Sequence, residues 1–231
     1  MKKILVTLLV VSSMIFAMAI ATMASDVYVD GLVSGDLESK TTYALLPTEN
    51  SDDKYDLNGY TVGTNLNFGR LLINLDYSKD TIKAIEAGES DEDQNTINIK
   101  CGYILIGDEQ SYLALTAGYH QTEPDENTDD EKMNGAIIGL NAASNLGERS
   151  RLEGFVGYSV DGSMEFLDDD SGSTVKYDLD ILLLQVKYSY YLTDNFGIGI
   201  GYKSIRYKID EELFVSKITH SGPTIGLTYR F

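Results

Sequence analysis

A chain of 231 residues with one cysteine, three prolines, two histidines and no tryptophan has little of what most catalytic and binding sites are made from. Cys101 excludes an internal disulfide, and zinc sites of the multi-cysteine kind have no ligands here. Cations are scarce too: 18 Lys and Arg stand against 36 Asp and Glu, a net charge of −18. Nucleic acid is thereby excluded as a partner, because phosphate neutralisation needs a basic face. Also missing, after the first 21 residues, is any apolar run long enough for a membrane helix.

The start of the chain is different. Met1-Lys2-Lys3 precedes an apolar stretch from Ile4 to about Ala21, and small residues Ala24-Ser25 lead into Asp26. A basic start, an apolar run and small residues before a polar segment predict a secretory signal peptide over 1–24. Cleavage there removes Lys2 and Lys3 but no acid, leaving a mature chain, 25–231, at −20.

Twenty-one of the 36 acids fall in five patches: 49–56, 86–93, 123–131, 168–170 and 210–212. Between the patches lie four tight connections, Asn67–Arg70, Gly107–Gln110, Asn145–Glu148 and Thr193–Asn195. Long and short connections alternate. Nine connections join ten strands, with eight as the fallback because Gly31, Gly35 and Asp36 interrupt the first.

The strands carry period two, the mark of a wall with different faces. The ninth is the clearest, Phe196, Ile198, Ile200 and Tyr202 against Gly197, Gly199 and Gly201. Cys101 falls in the apolar phase, as a small outward hydrophobe. Tyr77, Tyr119, Tyr158 and Tyr202 each follow a short turn by about seven residues and predict one aromatic girdle. Phe68, Tyr103, Tyr188, Tyr190, Tyr229 and Phe231 predict the other. Two strands break the pattern: the apolar set Val175, Tyr177, Leu179, Ile181 is out of phase with Leu184–Tyr190, and Ile205, Tyr207, Ile209 with Ile198–Tyr202. If all apolar residues face outward, each break requires a bulge.

The last strand, Thr224-Ile-Gly-Leu-Thr-Tyr-Arg-Phe231, alternates apolar and polar residues and ends on a bare phenylalanine. The pattern polar–x–Gly226–x–x–Tyr229–x–Phe231 resembles the insertion signal of bacterial outer-membrane barrels. By that motif, the leader and the turn–loop rhythm, the chain resembles small outer-membrane β-barrels of the OmpA/OmpX kind. The resemblance implies an all-β fold: a transmembrane, antiparallel, up-and-down barrel with short periplasmic turns and long extracellular loops. It implies residence in the outer membrane. Implied partners are outer-membrane lipid and lipopolysaccharide, and the barrel-assembly machinery through the C-terminal strand. Divalent cations at the acidic loops are a further candidate, although no patch has the spacing that wraps one calcium.

Interior-phase charges are the candidate site: Asp76, Lys100, Glu153, Lys187, Lys203 and Arg230. They either pair into a plug or line a narrow porin-like channel for ions or small solutes. A lipid-modifying enzyme is the remote alternative. His120 and His220 read as surface residues near loops, and His220-Ser221, being adjacent, point to opposite faces and cannot act together. No catalytic, cofactor or metal residue is expected, and the role read from sequence is structural or surface-interacting.

Overall fold

The computed structural model describes residues 25–44, 51–83, 91–124, 131–168 and 173–231. The leader and parts of four of the five acidic patches lie outside these residues. Eleven strand segments occur: β1 (Ser25–Tyr43), β2 (Ser51–Phe68), β3 (Leu71–Ile82), β4 (Glu92–Gly107), β5 (Ser111–Pro124), β6 (Lys132–Asn145), β7 (Ser150–Asp168), β8 (Ser173–Asp178), β9 (Asp180–Tyr191), β10 (Phe196–Asp210) and β11 (Phe214–Arg230). β8 and β9 are one strand interrupted at Leu179, so the segments make ten staves. All neighbours are antiparallel. β6 pairs with β7, and β1 pairs with both β2 and β11, which closes the sheet into a barrel. The first strand therefore holds its place, and the eight-strand fallback falls away.

Three tight connections turn on glycines at positive φ, Gly69 (64°), Gly107 (92°) and Gly147 (120°), a conformation other residues adopt at a cost. The fourth is held by Thr193, whose hydroxyl accepts from Phe196 N–H at 3.0 Å. In the second turn Asp108 accepts from the N–H groups of Gln110 and Ser111 at 2.9 and 3.1 Å. Those two bonds hold its carboxyl below the usual carboxylate range.

The outer wall of the turn-side half is apolar and exposed: Ile99, Leu115, Ile138, Val156, Ile198 and Leu227 are 44–50 % accessible. Cys101 is exposed on this wall. An apolar patch running round a whole barrel does not stay in water. Tyr119, Tyr158 and Tyr202 stand on its loop-side edge and Tyr103, Tyr188, Tyr190 and Tyr229 nearer the turns, all facing out.

The staves exceed what a bilayer needs. A span takes about 9–11 tilted residues, whereas β1 and β7 have 19 and β2 has 18. The surplus lies at the loop end, and it takes in residues that sequence placed in acidic loops, such as Asp52, Asp53 and Asp93. There the outer face changes to cross-strand ion pairs: Lys40–Asp52 at 2.9 Å, Lys79–Asp93 at 2.7 Å and Lys176–Glu165 at 3.3 Å.

Register corrects the two expected phase breaks. From Val175 to Tyr191, and from Gly197 to Ile209, the alternation runs unbroken with odd-numbered residues inside. Leu179, Ile181, Leu183, Ile205, Tyr207 and Ile209 therefore face the lumen rather than lipid, and they form its apolar core. The real irregularities lie elsewhere. One is in β1 between Leu32 and Asp36, one in β4, where Ile104 pairs with Ala114 and Ile106 with Leu113, leaving Leu105 over, and one in β7, where Ala136 pairs with Asp161 but Ile137 with Ser159, leaving Val160 over.

Candidate functional site

The lumen holds the polar side chains, and the sequence puts them there by alternation alone. On β3 the outward residues are Ile73, Leu75 and Tyr77, so Asn74, Asp76, Ser78 and Asp80 point inward. On β4 the same period delivers Thr96, Asn98 and Lys100.

Nearest the turns, Arg151 on β7 donates from Nε to Glu153 at 2.9 Å and from Nη1 to Gln110 O and Asn145 Oδ1, both at 3.2 Å. Its guanidinium lies over the Tyr112 ring at 5.8 Å. Arg230, near the C-terminus, lies over Tyr191 at 4.0 Å. Asn74 donates to Asn65 at 2.7 Å, and Asn65 to Asp26 at 2.8 Å.

At mid-depth lie two ion pairs, one across the lumen between β9 and β1 and one between the neighbouring strands β4 and β3. Lys187 donates to both carboxylate oxygens of Asp30 at 2.8 Å and stands 4.4 Å from the Tyr28 ring. Lys100 pairs with Asp76 at 3.1 Å and lies 4.6 Å from the Phe155 ring. Tyr28 donates to Asp76, which ties the two pairs together. All four charged residues are less than 9 % exposed. Buried lysines and carboxylates at this depth persist because each has an opposite charge and further polar contacts.

Glycines make the space. A Cβ on Gly226 would stand 2.0 Å from Asp30 Oδ1 and 2.2 Å from the Val29 carbonyl, and one on Gly63 2.5 Å from Asp76 Oδ1 and the Tyr28 hydroxyl. Gly226, singled out in sequence as part of the insertion signal, is thus also the floor under Asp30. Of that signal's other members, Tyr229 faces outward and Phe231 meets it edge-on at 5.0 Å.

Further toward the loops Lys203 donates to Ser78 at 2.9 Å, and Ser78 exchanges a 2.8 Å bond with Thr61. Beside them His120 bonds Asn98 through Nδ1 at 2.7 Å and the Tyr207 hydroxyl through Nε2 at 2.8 Å. The Asn98 oxygen only accepts, so Nδ1 carries the proton and Nε2 accepts from Tyr207. Thr122 then donates to Tyr207 at 2.8 Å and meets Thr96 at 2.9 Å. His220 stacks edge-on against Tyr207 at 5.6 Å. Both histidines are buried in the lumen, at 0 % and 5 % exposure, not on the surface as sequence suggested. Proximity to a loop in sequence was a poor guide, because the strands run past the membrane before they turn.

Tyr207 also belongs to the apolar cluster of Met133, Ile137, Phe155, Ile181, Leu183 and Ile205. It reaches across the upper lumen from this apolar wall to the hydroxyl network of β4 and β5. Two small cavities lie among these side chains. A cavity of about 50 Å³ borders Asp26, Glu153 and Lys187, and one of about 30 Å³ borders Asp76, Lys100 and Lys203. Each has room for a few waters. The unpartnered oxygens of Asn74 and Thr228 face the first.

The structure brings together Asp76 with Lys100, and sets Glu153 against Arg151, Lys203 against Ser78 and Arg230 against Tyr191. Lys187 pairs with Asp30, which sequence reading passed over along with Asp26 and Tyr28. The signal was available: Asp26, Tyr28 and Asp30 alternate with Val27 and Val29, a lumen phase hidden by doubt about the first strand. Among the described residues no three acids, histidines or cysteines converge to hold a metal ion.

No family model and no curated protein matches the sequence. Among solved structures, the outer membrane protease OmpT from Escherichia coli superposes with a TM-score of 0.61 at 14 % identity, covering 90 % of this chain and 97 % of that one. Neisserial surface protein A (TM-score 0.37, 14 % identity, 89 % of this chain and 97 % of that) and Ail, the attachment invasion locus protein of Yersinia pestis (0.36, 13 %, 90 % and 99 %), resemble it more loosely. What the likeness to OmpT carries is the fold. The chain is a closed ten-stave β-barrel of the bacterial outer-membrane kind, with a lipid-facing belt and a filled lumen.

Proposed function

We propose that this protein is a sealed, non-enzymatic outer-membrane barrel whose role is structural or surface-interacting. The observation that supports the reading best is the filling of the lumen by two different means. Paired charges occupy it at mid-depth, and Tyr207 with the apolar wall closes it toward the loops. A narrow channel for ions or solutes would need both layers to move, since the cavities beside them have room for only a few waters. The loop end is taken as extracellular, following the usual arrangement of such barrels. Among the described residues Ser221 lies on the opposite face from His220, and His120 Nε2 accepts from the Tyr207 hydroxyl, so neither histidine is set as a base for Ser221. Liposome swelling tests this reading. Vesicles carrying the refolded barrel should swell in small sugars no faster than empty ones, and porin-like rates would overturn it.

A further inference from the structure

The wall formed by β10, β11 and β1, loopward of the tyrosine belt, carries an electrostatic anomaly. Lys217 on β11 is the direct register partner of Lys208 on one side and Lys40 on the other. All three point outward, so three ammonium groups stand abreast on strands about 5 Å apart. Like charges directly opposite one another destabilise a sheet, and the chain as a whole is strongly acidic. Arg206, outward one step closer to the belt, is a diagonal neighbour of Lys217.

The acids nearby leave two of these cations uncovered. Asp52 pairs with Lys40, Asp210 with Lys208, and Glu38 lies 3.8 Å from Lys54, while Asp180 faces Lys208 from β9. Among the described residues Arg206 and Lys217 have neither an ion pair nor a hydrogen bond.

Depth says what could meet them. Arg206 lies four residues beyond Tyr202 on the same face, roughly 10 Å higher for a strand tilted near 40°. That is a few ångströms above the headgroup layer, which extends about 5–7 Å past the hydrocarbon, and a long side chain reaches down toward it. A guanidinium beside an ammonium is suited to a phosphate monoester. We propose that this wall binds the phosphate-bearing headgroup of an outer-leaflet lipid, with Arg206 and Lys217 as its contacts. The commitment to the outer leaflet rests on the loop end being extracellular, which protease access to loops on intact cells reads independently.

The test reconstitutes the mature barrel in phosphatidylcholine nanodiscs containing lipopolysaccharide, native or dephosphorylated. Native mass spectrometry then counts the lipopolysaccharide retained on extraction. Wild type should retain the native form, and R206Q/K217Q should retain about tenfold less. R206K/K217R should keep it, as should R70Q/R149Q, which removes two exposed cations at the turn end. All variants are first shown to be folded by heat-modifiable gel migration. Equal retention by R206Q/K217Q, or equal retention of the dephosphorylated lipid, would overturn the proposal. So would complete displacement by millimolar inorganic phosphate, which would make the wall a site for free anions.

Discussion

Lys187 and Asp30 are 157 residues apart in sequence and are joined by two 2.8 Å hydrogen bonds inside the barrel. The pair links β9 to β1 across the lumen, on top of the ladder by which β1 already meets β11. Substituting Lys187→Ala leaves a carboxylate buried with no counter-charge, and should cost about 3–5 kcal/mol. Urea unfolding of the refolded protein in lipid vesicles measures it. The double change D30N/K187Q removes both charges and should lose less than K187A alone. A double variant as weak as the single would mean the pair carries no coupling.

Gly226 separates packing from targeting. Gly226→Val places carbon within contact of Asp30 and the Val29 carbonyl, so refolding in detergent should fail or yield a barrel that no longer resists SDS. Deleting Phe231 touches no lumen contact. It should leave refolding in vitro intact while lowering outer-membrane levels in cells. A normally refolding G226V would show that the Asp30 shelf yields easily.

Tyr207→Phe removes the donor to His120 Nε2 and the acceptor for Thr122 in one change. Burial of both groups puts the expected loss at about 1–3 kcal/mol by thermal unfolding. Tyr207→Leu should lose more, since the ring contact with His220 goes too.

Much of the barrel is legible in sequence because period two needs no knowledge of what surrounds the strand. Asp76, Lys100 and Lys187 fall inside by parity alone, and the turn glycines announce themselves. Ile181, Ile205 and Tyr207 do not. Read with the assumption that apolar means lipid, they demand a bulge; in the structure the phase is constant and the surroundings change, because the upper barrel stands clear of the bilayer and has an apolar inside. The same misjudged height left His120 and His220 on the surface. Asp30 went unread for a different reason: its partner is 157 residues away, and no local pattern announces a pair across a lumen.

That constant phase is directly checkable. In a C101S background, a single cysteine in place of Arg206 should react with a water-soluble maleimide, and one in place of Ile205 should stay protected. The reverse pattern would restore the bulge near Ser204 and turn the apolar cluster outward.

Single-channel recording in a planar bilayer tests the sealed lumen most directly. Refolded, heat-modifiable wild type should show no steady conductance. The variant Y207A/I181A, which cuts away the ring and a chain it packs with, should open irregular currents that K187A alone does not produce. Stable, unitary, ion-selective steps from the wild-type barrel would contradict the seal and make the paired charges the lining of a working pore.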